Sequence, residues 1–324
     1  MNILVCGGAG YIGSHVLKHL RAKGHSCHVL DNFSSGHEWA LLGASCSKAD
    51  ILDQAALDKI FSARPFDVVM HFCARSLVAE SVTDPALYYR NNVSGTLNLL
   101  ETMQKHGVNK LVFSSTAAIF GEPQEEIISE AHPSQPLNPY GHSKLMVEQM
   151  LQDFAEAGGL DSIALRYFNA AGADPEAELG EVHEPETHLI PNILLSLLDG
   201  ESRREFKIFG KDYPTPDGTC VRDYIHVNDL ASAHVLGMEY LFEHPGAHVF
   251  NLGSQRGYSV LEVMQACEQI NGKKVNYQFA GRRPGDPARL VASSLLAQQE
   301  LGWQAEYSLE QIIETAWNWH QSLS

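Results

Sequence analysis

The apolar run Ile3 to Cys6 ends in Gly7-Gly8-Ala9-Gly10-Tyr11-Ile12-Gly13, and a helical pattern from His15 to Lys23 follows at once. No other feature limits the fold as much. Glycines at 7, 10 and 13 let a chain leave a strand sharply, bring its backbone against a pyrophosphate and pack the next helix on the sheet. The free N–H groups at that helix start then face the phosphates. This arrangement predicts a dinucleotide-binding lobe at the start of the chain.

Asp31 stands 18 positions beyond Gly13, at the end of the second apolar run. A carboxylate there accepts from ribose hydroxyls and repels a 2′-phosphate. No Arg or Lys lies between Asn32 and His37 to receive such a phosphate, so NAD is expected rather than NADP.

Strands are expected at Ile3 to Cys6, Cys27 to Leu30, Asp67 to Phe72, Lys110 to Ser114 and Ser162 to Arg166, separated by helical patterns. Nearly continuous apolar strands alternating with helices predict an α/β fold with a Rossmann-like, doubly wound parallel sheet. Residues 1–171 form the expected NAD-binding domain, and 172–324 a smaller mixed α/β substrate lobe. Segments near 225–252 are expected to return to the first domain.

Ala173 to Glu186 has no clear period and reads as a loop or lid. After it come expected helices at His188 to Asp199, Val227 to Phe242, Ser259 to Asn271 and Leu309 to Trp319, with strands near Phe206 to Phe209 and His248 to Leu252.

Two helical runs are apolar on more than one side. Val93, Leu97 and Leu100 form one face while Leu99 and Met103 begin another; Val147, Leu151 and Phe154 differ likewise from Met146 and Met150. A helix of that kind must be covered twice. One face is therefore expected to meet a second subunit, in a homodimer, the alternative being burial wholly inside one chain.

A formal charge of −16 disfavours nucleic acid and anionic membranes as partners. No window approaches the roughly 20 apolar residues that span a bilayer. The six cysteines lie far apart, without a C-x-x-C pair. A cytoplasmic protein with reduced thiols is expected.

The chemistry centres on Tyr140 and Lys144, four apart after Asn138-Pro139 at an expected helix start. Phenol and ammonium then share one helical face, so the cation can lower the phenol's pKa and also hold a ribose. What reads as the fourth strand ends in Phe113-Ser114-Ser115-Thr116. In parallel sheets that end faces the ligand crevice, where a hydroxyl can bind a sugar alcohol and relay its proton. Each hydroxyl can instead end the strand by bonding backbone.

His15 and His19 have ligand-like spacing but no third ligand, so they read as a solvated face, and no metal site is expected. Arg203, Arg204 and Lys207 read as surface. Arg222 and Arg283, each beside turn residues, are the candidates for gripping a second pyrophosphate.

Taken together, the glycine triplet, Asp31, the Ser-Ser-Thr strand end and the Tyr140/Lys144 pair resemble the extended short-chain dehydrogenase/reductase family. Within it the chain is similar, from end to end, to the UDP-hexose 4-epimerase branch. The segments His71-Phe72, Asn91-Asn92-Val93, Tyr140 to Glu148, Arg166 to Asn169 and Val221 to Val227 carry that likeness. By resemblance, Tyr140 is the catalytic base, Lys144 its electrostatic partner and Thr116 the sugar-binding hydroxyl. Tyr11, Ile12, Asp31, Asn32, Asp50, Ile51, Phe72, Cys73, Ala74, Asn91 and Phe168 line the cofactor. Asn169, His188, Leu189, Arg222, Arg283 and Asp286 line the nucleotide sugar.

Two positions depart from relatives: Ser76 replaces a lysine that contacts the cofactor, and His188 an asparagine. The resemblance implies reversible C4 inversion of UDP-glucose and UDP-galactose, with the sugar oxidised by tightly held NAD, turned over and reduced on its other face. The dehydratase branch needs an acid at the strand end, whereas Thr116 is followed by Ala117 and Ala118. The alternatives are an epimerase of UDP-N-acetylhexosamines, with Leu290 at the gate position, a nucleotide-sugar 4-reductase, and a catalytically silent dinucleotide-binding regulator.

Overall fold

A computed structural model describes residues 1–198, 206–283 and 285–323. Seven strands form one wholly parallel sheet: β1 (Asn2–Cys6), β2 (Ser26–Asp31), β3 (Ser45–Lys48), β4 (Val68–His71), β5 (Lys110–Thr116), β6 (Asp161–Tyr167) and, later in the chain, β10 (Ala247–Leu252). Their order is β10-β6-β5-β4-β1-β2-β3. The chain runs outward from β1 through β2 to β3, then restarts on the other side at β4. That reversal opens a crevice beyond the carboxyl ends of β1 and β4.

Successive side chains of these strands point to opposite faces, and both faces are covered. Ile3 and Val5 pack on one side with Val16, Leu17 and Leu20 of the helix Tyr11–Ala22 and with Leu230 and Ala231 of the helix Val227–Tyr240. Leu4 and Cys6 pack on the other with Leu57 and Phe61 of the helix Gln54–Ala63, Leu99 of Gly95–Lys105 and Val147 of Pro139–Glu156.

The remaining strands are β7 (Asn169–Ala171), β8 (Phe206–Phe209), β9 (Val221–His226), β11 (Gly257–Ser259), β12 (Tyr277–Ala280) and β13 (Arg289–Leu290). β9 pairs with β7, β11 and β13, while β8 pairs with β12. A separate core, including Ile193, Leu194, Val263, Met264, Ile312 and Ile313, packs the helices Leu189–Leu198, Val260–Asn271 and Leu309–Ser322 against this smaller group.

The strand that reads as the fourth is the fifth, because β3 (SCSK) intervenes. His15 is fully buried and His19 partly so, which corrects the solvated-face reading. The Val227–Tyr240 helix lies against that side of the Tyr11–Ala22 helix, and the His15 ring bonds the Tyr11 carbonyl oxygen at 2.8 Å. Of the two-sided helices, Leu99, Leu100, Met103, Val147 and Leu151 face the interior, and Leu97 and Met146 are exposed apolar residues. Lys207 is exposed, whereas Arg203 and Arg204 lie outside the described residues. The six cysteines are free thiols. Among the described residues, no helix is long and apolar enough to cross a membrane.

Candidate active site

The crevice at the sheet reversal is lined by Gly7, Gly10, Asp31, Asn32, Ile51, Phe72, Cys73, Ala74 and Asn91 of the residues expected there. Gly7 turns at φ 81°, a left-handed conformation that suits glycine. A Cβ on it would lie 2.8 Å from the Cys73 nitrogen, so the loops after β1 and β4 pass at contact distance. A Cβ on Gly13 would overlap the Gly7 carbonyl oxygen. Gly10 is different: nothing lies nearer to its added Cβ than the Gly7 oxygen at 3.4 Å, so its outer side is open.

Asp31 is buried, and its carboxylate accepts from the Ala9 N–H at 3.0 Å and the Phe33 N–H at 2.8 Å. Burial pushes its pKa up, against those two bonds. Asp31 thus ties the glycine turn to the end of β2 and retains lone pairs for a ribose. Asn32 donates to Asp50 at 2.8 Å, and Asp50 also accepts from the Leu52 N–H at 2.9 Å. An opening above glycine backbone, flanked by a buried carboxylate, fits the expected NAD.

Sequence reasoning missed Ser34, Ser35, Gly36, Ala49 and Arg75 on the crevice wall. The Ser34-Ser35-Gly36 run carried a turn signal that was available. Tyr11 and Ile12 occupy the first helical turn rather than the wall, and the Tyr11 hydroxyl donates to Gly172 O at 2.6 Å. Phe168 follows β6 and packs on Phe120.

Tyr140 and Lys144 belong to the first turns of the Pro139–Glu156 helix, whose N-cap Asn138 accepts from the Gly141 N–H at 2.9 Å. Proline in the first turn loses no helical bond. Lys144 is 2% exposed, donates to Ser114 O at 2.6 Å and sits 4.6 Å from the Phe113 ring centroid. Burial lowers its pKa to about 7, opposed by Cys73 and Glu148. Burial raises that of Tyr140, and a hydrogen bond with Thr116 opposes it. Phenol and hydroxyl therefore meet where β5 ends, and the ammonium is held on the same strand at Ser114, beside the crevice residue Cys73.

Of the three strand-end hydroxyls, Ser114 bonds the Tyr167 hydroxyl and Ser115 bonds Glu148, both inside the protein. Thr116 accepts from the Ala118 N–H at 3.1 Å and still reaches Tyr140. Asn92 was missed as a positioning residue. It sits in a wide π-turn, Tyr89–Ser94, donates to Ser143 Oγ at 2.9 Å and Arg75 O at 3.0 Å, and accepts from the Arg75 N–H at 2.8 Å. One side chain thereby locks the wall after β4 to the helix that carries Tyr140.

Toward the smaller core, Asn169 begins β7, opposite Tyr224 of β9. Leu189 begins its helix. Arg222 on β9 pairs with Asp286 and donates to Pro287 O at 2.8 Å, so these two expected sugar-nucleotide residues meet each other. Arg283 is exposed and lies 4.1 Å from the Phe209 ring centroid. His188 turns toward Glu181. Leu290 packs with Ile119 and Phe120 near the end of β5. Ser76 is exposed.

The UDP-glucose 4-epimerase of Halalkalibacterium halodurans is 52% identical over 99% of this chain and 96% of its own. The crystal structure of UDP-glucose 4-epimerase from Brucella ovis in complex with NAD is 46% identical, with a TM-score of 0.94, over 98% of this chain and 97% of that one. The Bifidobacterium longum enzyme in complex with NAD+ and UDP is 39% identical, with a TM-score of 0.93, over 99% and 98%. The profile of the NAD dependent epimerase/dehydratase family matches residues 3–253, which span both the crevice and the Tyr140 cluster. With its fold, its crevice and its full-length relatives in agreement, the chain belongs to the NAD dependent epimerase/dehydratase family.

Proposed function

We propose that this protein interconverts UDP-glucose and UDP-galactose by inverting C4, with NAD held in the crevice through the catalytic cycle. The observation that carries the proposal is the contact of Tyr140 with Thr116 at the end of β5, with Lys144 one helical turn on and bonded to Ser114 O of the same strand. The names of the full-length relatives support the substrate.

Gly7, Gly10 and Gly13, with Tyr11 and Ile12 of the first turn, are assigned to the NAD pyrophosphate. Asp31 and Asn32 go to its adenosine ribose, Asp50 and Ile51 to the adenine side, and Phe72, Cys73, Ala74, Asn91 and Phe168 to the remaining wall. Bound NAD supplies a reversible hydride acceptor for C4. Thr116 holds O4 of the sugar, and Tyr140 takes its proton and returns it. Lys144 supplies the positive charge that makes the phenol a base near neutral pH.

Arg222 and Arg283 grip the pyrophosphate of the sugar nucleotide, which frees Asp286 for a ribose hydroxyl. Asn169, His188 and Leu189 line the rest. The expected division into 1–171 and 172–324, with residues near 225–252 rejoining the first domain, places catalysis between the lobes. The exposed Leu97 and Met146 are the surface through which two copies pair, in a cytoplasmic homodimer.

The test is incubation of purified protein with UDP-galactose and no added cofactor, followed by separation of the epimers. UDP-glucose forms with the wild type and not with Tyr140→Phe. A strict need for added NADH makes the protein a 4-reductase instead, and turnover confined to N-acetylated sugars moves the substrate.

A further inference from the structure

Glu181, His183, Glu186 and His188 lie within eight residues, in the order E-x-H-x-x-E-x-H, on the segment joining Ala173 to the helix Leu189–Leu198. Each offers one ligand atom, and the four atoms lie within 4.8 Å of one another. Two imidazoles and two carboxylates form a borderline donor set that suits zinc or its first-row neighbours better than magnesium or calcium. The sequence reading gave no metal site because the segment has no regular period and the two histidines stand five apart.

The two separations at His183 lie near the edge length of a tetrahedral site. A four-coordinate zinc with bonds of about 2.0–2.2 Å separates neighbouring ligand atoms by about 3.3–3.6 Å. The separations here are 3.1 Å from Glu181 to His183 and 3.7 Å from His183 to the second, unbonded oxygen of Glu186, with His188 in hydrogen-bond contact with Glu181. The His183 Nδ1 atom is buried and makes no hydrogen bond, although the Glu181 oxygen is at contact distance.

The charge balance leads to the same place. The Glu181 side chain is 4% exposed, and it ion-pairs with both of these histidines. Its charge is therefore met either by protons on both rings or by one cation among them. The neighbouring group Asp174, Glu176 and Glu178 makes a contrast, because the Lys18 ammonium already sits 2.8 to 3.0 Å from all three.

We propose that Glu181, His183, Glu186 and His188 form a structural binding site for one divalent transition-metal ion, zinc by preference. The ion clasps the loop to the helix that begins at Leu189. The loop is already fastened on its other side, where the Trp319 indole donates to Glu181 O at 3.1 Å. Glu186 uses one oxygen to accept from the N–H groups of Thr187 and His188 at 2.7 and 2.8 Å, leaving its second free to ligate. The site holds the lid in place, including the sugar-lining His188, and takes no part in the proton transfer at Tyr140.

The test uses the full-length protein stripped with EDTA, dialysed and given zinc chloride, with metal counted by mass spectrometry after gel filtration. One zinc per chain is expected, with a higher unfolding temperature than the stripped protein and at least tenfold weaker binding in His183→Ala. Substoichiometric zinc, or wild-type affinity in His183→Ala, overturns the proposal. If that variant does not fold, X-ray absorption on the zinc-loaded wild type decides: a nitrogen and oxygen shell upholds the site, and sulfur ligation overturns it.

Discussion

The Lys144 ammonium donates to the main-chain oxygen of Ser114 at 2.6 Å, two residues before the strand end that carries Thr116. This bond fixes the charge beneath β5 while burial drives its pKa down to about 7. The phenol nearby is pushed the other way by its own burial. A cation near the phenol favours phenolate, so taking it away raises the phenol's pKa further. For Lys144→Met, kcat/KM with UDP-galactose falls by about 10²–10³, the scale of losing a tuned base. The acid limb of its pH profile also moves to higher pH. A uniform loss with an unmoved limb removes Lys144 from base activation and leaves it a structural role.

Gly13 and Gly10 differ in what a methyl group would meet, and they separate folding from cofactor retention. On Gly13 the new Cβ overlaps the Gly7 carbonyl oxygen and stands 2.9 Å from its carbon, both backbone atoms that cannot swing away. Gly13→Ala therefore destabilises the protein by about 1–3 kcal/mol, the cost of overpacking, and empties it of NAD. On Gly10 the nearest atom is at 3.4 Å, so Gly10→Ala unfolds at nearly the wild-type urea concentration and loses only cofactor. Urea titration together with the nucleotide released on acid precipitation checks both. Equal stability in the two variants contradicts the argument.

Buried neutral histidines set the acid limit of the fold. Burial lowers the pKa of His15 and His234 to about 4 and that of His71 and His226 to about 3. One ring nitrogen of His15, His71 and His234 has no hydrogen-bond partner, so a proton added there goes unsatisfied. Each folded pKa lies below the unfolded value near 6.5, so the unfolded chain binds more protons between about 4 and 6.5, and stability drops as pH falls through that window. His28, also lowered to about 4 by burial, adds to these four. Asp223 and Asp229, raised to about 6 by burial, and His183, raised to about 10 by the carboxylates of Glu181 and Glu186, work in the opposite direction, three against five. Stability is expected to decrease from pH 7 to pH 5 by an amount on the order of a few kcal/mol. Urea midpoints at the two pH values measure it, and an equal or higher midpoint at pH 5 refutes it.

The first strand, the glycine turn and Asp31 are legible in sequence because a few contiguous residues determine them. β3 is not, since Ser45 to Lys48 is polar and gains its place only by pairing with β2 at the sheet edge. His15 sits at a helical position that looks open until the Val227–Tyr240 helix, more than 200 residues later, covers it. The choice of Thr116 over Ser114 and Ser115 is likewise non-local. Strand alternation turns Ser115 toward Glu148 and Ser114 toward Tyr167, and both partners come from later elements. Asn92 stands in a segment that carries the family likeness, but its positioning role is not legible in sequence because it joins two segments that only the fold brings together.

Glu148, one helical turn beyond Lys144, shares a buried ion pair with Arg166 of β6, and both side chains are under 10% exposed. Arg166 Nε donates to the two carboxylate oxygens at 2.9 and 3.2 Å, and Nη2 donates at 2.5 Å. Removing one partner strands the other's charge, which typically costs about 3–5 kcal/mol, whereas replacing both by apolar residues is close to neutral. Glu148→Leu should therefore lower stability by about that amount, and adding Arg166→Met should restore most of it. Glu148 is also one of the groups that hold the Lys144 proton. The restored double variant thus retains its fold but leaves Lys144 less charged, and its kcat/KM falls more steeply above neutral pH than that of the wild type. Urea titration and pH profiles of the single and double variants decide between these roles. A single variant that loses less than about 1 kcal/mol shows that water reaches the pair, and a double variant with the wild-type profile shows that the pair serves the fold alone.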